Sequence, residues 1–152
     1  MPTKSATAAK VWTEEERDAM RESARERKTS ARLSPEEERA QGEQDVRDSI
    51  AKLPPDERAM AQRIHELVTA AAPALRPKTY YGMPAFARQG KDGKTICFFK
   101  PKSKFRERYS TFGFETNASL DDGAMWPVAF AVTELTPAVE ARITELAKKA
   151  AG

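Results

Sequence analysis

The side chains best suited to catalysis in this sequence are its one histidine, His65, and its one cysteine, Cys97. His65 flanks the apolar stripe of a predicted helix, where a histidine is usually structural or solvated. Cys97 lies in a predicted strand between Ile96 and Phe98, and cysteines in such settings are usually inert. A cysteine–histidine nucleophile needs both side chains in contact beside an orienting group. Because no pattern indicates that contact, we predict a non-enzymatic protein and rank an enzyme using this pair last.

Two adjacent carboxylates, Asp121 and Asp122, are the candidate metal ligands. They precede Gly123, and a second acidic stretch lies at residues 36–45. Oxygen ligands of this kind suit hard cations such as iron or magnesium. An ordinary turn and a solvated helix start are the alternative interpretation. The sequence has no metal-ligand spacing of histidines or cysteines and no glycine-rich phosphate loop.

The positive charge of the chain is concentrated in residues 76–108. This segment carries ten basic and two acidic side chains, although the net charge of the whole chain is only +3. Such a field attracts anions, and the alternative is a solvated sheet edge whose lysines prevent aggregation. The residues that we predict to contact an anionic partner are Lys100, Lys102, Lys104, Arg106 and Arg108. The partner would be a nucleic acid, a phosphorylated metabolite or an acidic protein.

Large side chains interleave with or follow this basic run, and four of them are further candidate binding residues: Tyr81, Met83, Phe86 and Trp126. Aromatic rings beside cations bind nucleic acids by stacking and charge. The same rings are also ordinary sheet core. The run lacks the Lys/Arg-Gly-Phe pattern of RNA-recognition motifs, so nucleic acid is the less favoured partner.

The first 44 residues predict a charged arm that is partly helical or disordered. Residues 1–10 are small and polar, which is typical of disorder. Thr13 and Glu16 have the spacing of a capping box that begins a helix, and Ser34 repeats the signature. Gly42 is expected to interrupt the helix that follows. The acidic clusters of the arm could dock on the basic sheet.

The pattern of residues 45–152 predicts one α+β domain. Two helices precede the predicted strands, which are Lys78–Tyr81, Ala85–Gln89, Thr95–Lys100, Arg108–Phe114 and Pro127–Glu134. A corner is expected at Gly82-Met83-Pro84 and a hairpin turn at Lys91-Asp92-Gly93. A helix beginning at Thr136-Pro137 closes the chain, and the alanine face of the last strand is expected to pack against a helix. These elements predict a two-layer sandwich in which an antiparallel sheet of about five strands packs against N- and C-terminal helices.

The single cysteine excludes an internal disulfide, and no apolar run is long enough to span a membrane. The N-terminus lacks the apolar core of a signal peptide. We therefore expect a cytoplasmic protein.

Three segments carry a family resemblance: Tyr80–Phe86 (YYGMPAF), Ile50–Pro73 and Asp121–Pro127 (DDGAMWP). Over Asp45–Ala150 the chain resembles the YdhG-like family, a bacterial domain of unknown function. The resemblance implies an α+β fold related in outline to frataxin. Some members are described as intracellular iron chaperones.

The chain departs from the pattern of this family just before the shared motif. Many members carry a glutamate there, whereas this chain has Arg76, Pro77 and Lys78. The leading expectation is a non-enzymatic binding domain that binds or delivers iron, with Asp121, Asp122 and the acidic arm as the candidate ligands. The alternative is a module that binds an anionic partner through residues 76–108.

Overall fold

The structure is a computed structural model that describes residues 11–30, 33–90 and 93–152. The disorder predicted for residues 1–10 and the turn at Lys91-Asp92 lie outside these ranges. The described helices are α1 (Glu14–Ser30), α2 (Pro35–Ala51), α3 (Pro55–Ala71) and α4 (Pro137–Ala151). The strands are β1 (Arg76–Tyr80), β2 (Met83–Ala87), β3 (Thr95–Lys100), β4 (Ser110–Phe114) and β5 (Ala129–Val132). Across the described ranges, no helix has the length and apolar character needed to cross a membrane.

The strands form one antiparallel sheet in the order β1-β2-β3-β4-β5. Residues directly opposite each other point to the same face, so Phe86, Cys97 and Phe114 share one face of the sheet. That face packs into a core with buried residues from three helices: Val46 of α2, Ile64 of α3 and Ile143 of α4. The predicted α+β class, with a five-stranded antiparallel sheet packed against helices, is confirmed.

The prediction that Gly42 interrupts a helix is wrong. α2 continues through Gly42, which is buried against β1, and a Cβ at this position would lie 2.0 Å from the carbonyl oxygen of Pro77. The glycine therefore allows close packing of helix and strand. The boundary predicted at residue 45 falls inside this helix. The Ser34 capping box forms as expected, because Ser34 Oγ accepts from Glu37 N at 3.2 Å and Ser34 N donates to the Glu37 carboxylate at 3.0 Å.

The corner between the first two strands lies earlier than predicted. Tyr81 and Gly82 form the turn, with φ angles of 52° and 78°, and Met83 and Pro84 already belong to β2. Two consecutive left-handed residues are the geometry of a tight two-residue hairpin turn. β2 therefore begins and ends two residues earlier than the sequence pattern predicts.

The expected packing of the alanine face of β5 is also wrong. Ala129 and Ala131 are exposed, whereas Val132 is buried. α4 instead approaches the other face of this strand, where the Arg142 guanidinium lies 5.1 Å from the centroid of the Phe130 ring. α4 begins where predicted, because Thr136 Oγ1 caps it by accepting from Val139 N at 3.2 Å.

Candidate functional site

A groove of about 440 Å³ opens at the side of the domain, between three segments that are distant in the sequence. The first half of α3 forms one wall, the β3–β4 loop forms the second, and the segment from the end of β5 into α4 forms the third. Its apolar lining residues include Met60, Val132 and Leu135. This volume lies within the range of about 300–1,000 Å³ typical of small-molecule sites.

Arg108 and Tyr109 line the groove from the β3–β4 loop. The guanidinium carbon of Arg108 lies 5.0 Å from the centroid of the Tyr109 ring, and the Arg108 side chain is exposed. Arg108 forms no ion pair with any residue that the structure describes. Its positive charge is therefore available to a ligand that enters the groove.

The other four cations predicted to contact an anionic partner all have carboxylate partners within the chain. The pairs are Lys100–Glu107 at 3.1 Å, Lys102–Asp56 at 3.7 Å, Lys104–Glu22 at 3.0 Å and Arg106–Glu15 at 2.6 Å. Four charges of the basic run are consequently balanced by carboxylates of the same chain. Two of its partners, Glu15 and Glu22, belong to α1, so the acidic arm does contact the basic region.

Hydrogen bonds to α3 hold the β3–β4 loop in place. The buried carboxylate of Glu57 accepts from Ser103 N at 3.2 Å and from Ser103 Oγ at 2.7 Å. Where the loop ends, Ser110 Oγ accepts from Lys102 N at 3.0 Å. These bonds fix the path of the chain that presents Arg108 to the groove.

An ion pair between α3 and α4 holds the other two walls of the groove together. Arg63 donates twice to the Glu140 carboxylate, at 3.1 and 2.9 Å. These hydrogen bonds lower the pKa of Glu140. Glu140 is therefore already paired, whereas Glu134 lies exposed at the rim and has no ion-pair partner among the described residues.

The four large side chains predicted to bind a ligand do not gather in this groove. Phe86 is 4% exposed and stacks on His65 with ring centroids 5.0 Å apart, so it belongs to the core. Met83 is also buried, Tyr81 is half-buried at the β1–β2 turn, and Trp126 packs against the core from outside.

Asp121 and Asp122 lie exposed in the loop between β4 and β5. Within residues 11–30, 33–90 and 93–152, no three side chains of histidine, cysteine, aspartate or glutamate are grouped in a way that could hold a metal ion. The two predicted ligands therefore have no third histidine, cysteine, aspartate or glutamate beside them in the described part of the chain.

Cys97 and His65 are not arranged as a nucleophilic pair. Cys97 is 1% exposed, and burial raises the pKa of its thiol to about 12, so the thiol is protonated at neutral pH. His65 Nε2 lies 3.1 Å from both carboxylate oxygens of Glu43, while Nδ1 is buried and has no hydrogen-bond partner among the described atoms.

Comparisons of this chain with models of protein families, with curated proteins and with solved structures found no match. The resemblance to the YdhG-like family therefore stays a prediction that rests on the sequence motifs.

Proposed function

We propose that this protein is a non-enzymatic binding domain whose groove takes a small organic anion, with the anionic group of the ligand at Arg108. The observation that carries the proposal is the exposed guanidinium of Arg108, which has no ion-pair partner among the described residues and lines a concave groove of apolar and charged side chains.

The chemistry of the groove favours a ligand with an apolar body and one charged end. A guanidinium presents several N–H groups in a planar fork that matches a carboxylate or a phosphate. The ring of Tyr109 and the half-buried side chains of Met60 and Leu135 offer apolar surface for the rest of the ligand. A phosphorylated or carboxylated metabolite meets both requirements.

A nucleic acid fits the described surface less well. Binding a polyanion depends on a row of cations that can replace its counterions. Here Lys100, Lys102, Lys104 and Arg106 are each paired with a carboxylate of the same chain. A single free arginine in a groove suits one anionic group better than a row of phosphates.

The states of the two candidate nucleophilic residues support a role in binding rather than catalysis. The Cys97 thiol is buried and protonated at neutral pH, and a thiol of this kind is a poor nucleophile. His65 is stacked in the core and is held by Glu43.

Iron binding or delivery, which the family resemblance implies, stays a hypothesis. Its candidate ligands remain Asp121 and Asp122, and exposed carboxylates of this kind would bind a hard cation only weakly unless further ligands join them. No observation in the described residues favours this function over anion binding.

The proposal is tested by following backbone amide shifts while phenyl phosphate is added to the full chain, with inorganic phosphate as the reference. We expect saturable shifts at Arg108, Tyr109 and Leu135, and tighter binding of phenyl phosphate because its ring contacts the apolar lining. Shifts that are absent, or that fall outside the groove, would contradict the proposal.

A further inference from the structure

A second anion-binding arrangement lies at the end of the sheet, and a carboxylate of the chain itself occupies it. The backbone N–H groups of Tyr81 and Gly82 donate to the two oxygens of Glu26, at 3.2 and 3.1 Å. Both turn residues have left-handed φ angles. Successive N–H groups in such turns form a concavity that binds anions. α1 supplies the anion in this structure.

A second carboxylate of α1 lies over the same turn. A Cβ added to Gly82 would lie 2.5 Å from both carboxylate oxygens of Glu22, so the absence of a side chain at Gly82 makes room for this group. Glu22 also accepts from Lys104 Nζ at 3.0 Å. The carboxylates of Glu22 and Glu26, one helical turn apart, therefore both lie against the turn at Gly82, and Glu22 also pairs with Lys104.

The third contact lies nearer the start of the same helix. Glu15 pairs with Arg106 at 2.6 Å. Glu15, Glu22 and Glu26 are spaced seven and four residues apart, which places them on one face of a helix. The surface that binds these three carboxylates consists of the Tyr81 and Gly82 amides, Lys104 and Arg106. We call this surface the α1 site.

These ion pairs and hydrogen bonds join α1 to the rest of the domain, and little apolar surface of the helix is buried with them. Ala19 is the one apolar side chain of α1 that is buried among those the structure describes, and Val11 just before the helix is 88% exposed. No residue of α1 belongs to the described hydrophobic core cluster. Ion pairs between partly exposed groups contribute little in water and weaken with salt. Contacts of this kind would let a competing helix displace α1.

We propose that the α1 site recognises an acidic helix of another protein, one that carries carboxylates at the spacing of Glu15, Glu22 and Glu26. α1 is the resident occupant, and the partner helix takes its place. The charge complementarity between the α1 site and these three glutamates argues for this occupant. The inference is independent of the ligand bound at Arg108.

The test uses the full chain as receptor and a synthetic peptide of residues 11–30 as the probe helix. One receptor carries Glu22→Gln and Glu26→Gln, which weaken the binding of its own α1 to the α1 site. The matched control receptor carries Glu14→Gln and Glu36→Gln, which remove the same charge at exposed positions. Peptide affinity is measured by calorimetry, binding is located from the Tyr81 and Gly82 amide shifts, and thermal melts check that each receptor is folded.

We expect the peptide to bind the Glu22→Gln/Glu26→Gln receptor at least about tenfold more tightly than the wild type or the control, because the binding-competent fraction rises. Adding Lys104→Gln to that receptor should reverse the gain, and a peptide with glutamine in place of Glu22 and Glu26 should bind weakly. Equal affinity for all receptors, or no shifts at Tyr81 and Gly82, would overturn the proposal. The proposal would also be overturned if the wild-type protein formed a dimer that the Glu22→Gln/Glu26→Gln variant does not form. In that case α1 would be exchanged between two copies of this chain.

Discussion

The carboxylate of Glu38 lies 3.4 Å from Nε of Arg76, and the side chains of both residues are almost fully buried, at 3% and 4% exposure. This ion pair joins α2 to the first strand of the sheet. Arg76 also donates to the carbonyl oxygens of Arg88 and Gly90, at 3.2 and 3.3 Å. The carboxylate oxygens of Glu38 accept no hydrogen bond from the described residues. Their negative charge is therefore balanced by nearby cations, of which Arg76 is the ion-pair partner and Lys78 a further neighbour.

Replacing Arg76 alone should therefore destabilise the protein strongly. In Arg76→Met the buried Glu38 carboxylate loses its ion-pair partner, and we expect a loss of about 3–5 kcal/mol in the free energy of unfolding. The double variant Arg76→Met/Glu38→Met should recover most of this loss because no charge remains buried. Urea denaturation measures both values. A single variant no less stable than the double variant would show that the pair is not coupled.

Gly42→Ala tests the close contact between α2 and β1. In an exposed helix this change would stabilise by about 1 kcal/mol. Here the added Cβ would lie 2.0 Å from the backbone oxygen of Pro77, and we expect a net loss of roughly 1–3 kcal/mol from overpacking. Gln44→Ala, at an exposed position of the same helix, is the control and should change stability by less than about 0.5 kcal/mol. A more stable Gly42→Ala protein would contradict the packing.

Tyr80 makes the stability depend on pH in the alkaline range. Burial, together with the neighbouring Glu115 carboxylate that accepts from its hydroxyl at 3.0 Å, raises the pKa of Tyr80 from 10.0 to about 12. Because the raised pKa favours the neutral phenol in the folded state, its contribution is complete below pH 10 and is lost as the pH rises towards 12. Ultraviolet titration should show a phenol ionising near pH 12, and Tyr80→Phe should remove that step. An unchanged titration curve in Tyr80→Phe would refute the assignment.

The elements that follow from local chemistry could be predicted from the sequence. β3 matches its predicted bounds at both ends, because a continuous apolar run ends at Pro101. The starts of α2 and α4 follow from the capping residues Ser34 and Thr136. Gly42 misled the prediction because a glycine inside a helix signals either a break or a close contact, and only the position of Pro77 decides between them.

The groove could not be predicted in the same way. Met60, Arg108 and Leu135 lie far apart in the sequence and meet only through the order of the strands. The sequence predicted Arg108 as an anion contact, but it did not distinguish this residue from its neighbours. That distinction depends on distant partners, such as Glu22, which lies 82 residues from Lys104.

Ferrous iron provides a test of the hypothesis that the family resemblance implies. If Asp121 and Asp122 bind iron, anaerobic titration of the protein should give saturable broadening of their amide signals, and Asp121→Asn/Asp122→Asn should abolish it. Ligand carboxylates must be ionised, so the binding should also weaken as the solution is acidified. Iron-induced changes that persist in the double variant would place the site elsewhere, and an absence of changes would end the hypothesis.

The most direct test of the account is the affinity of phenyl phosphate for the Arg108→Gln variant, measured by calorimetry beside the wild type. Hydrogen bonds to a charged group contribute about 1.5–3 kcal/mol, so Arg108→Gln should weaken binding by about tenfold or more. Arg47→Gln removes an exposed charge outside the groove and should leave the dissociation constant unchanged. The same dissociation constant for wild type and Arg108→Gln, or no saturable binding to the wild type, would contradict the proposed function.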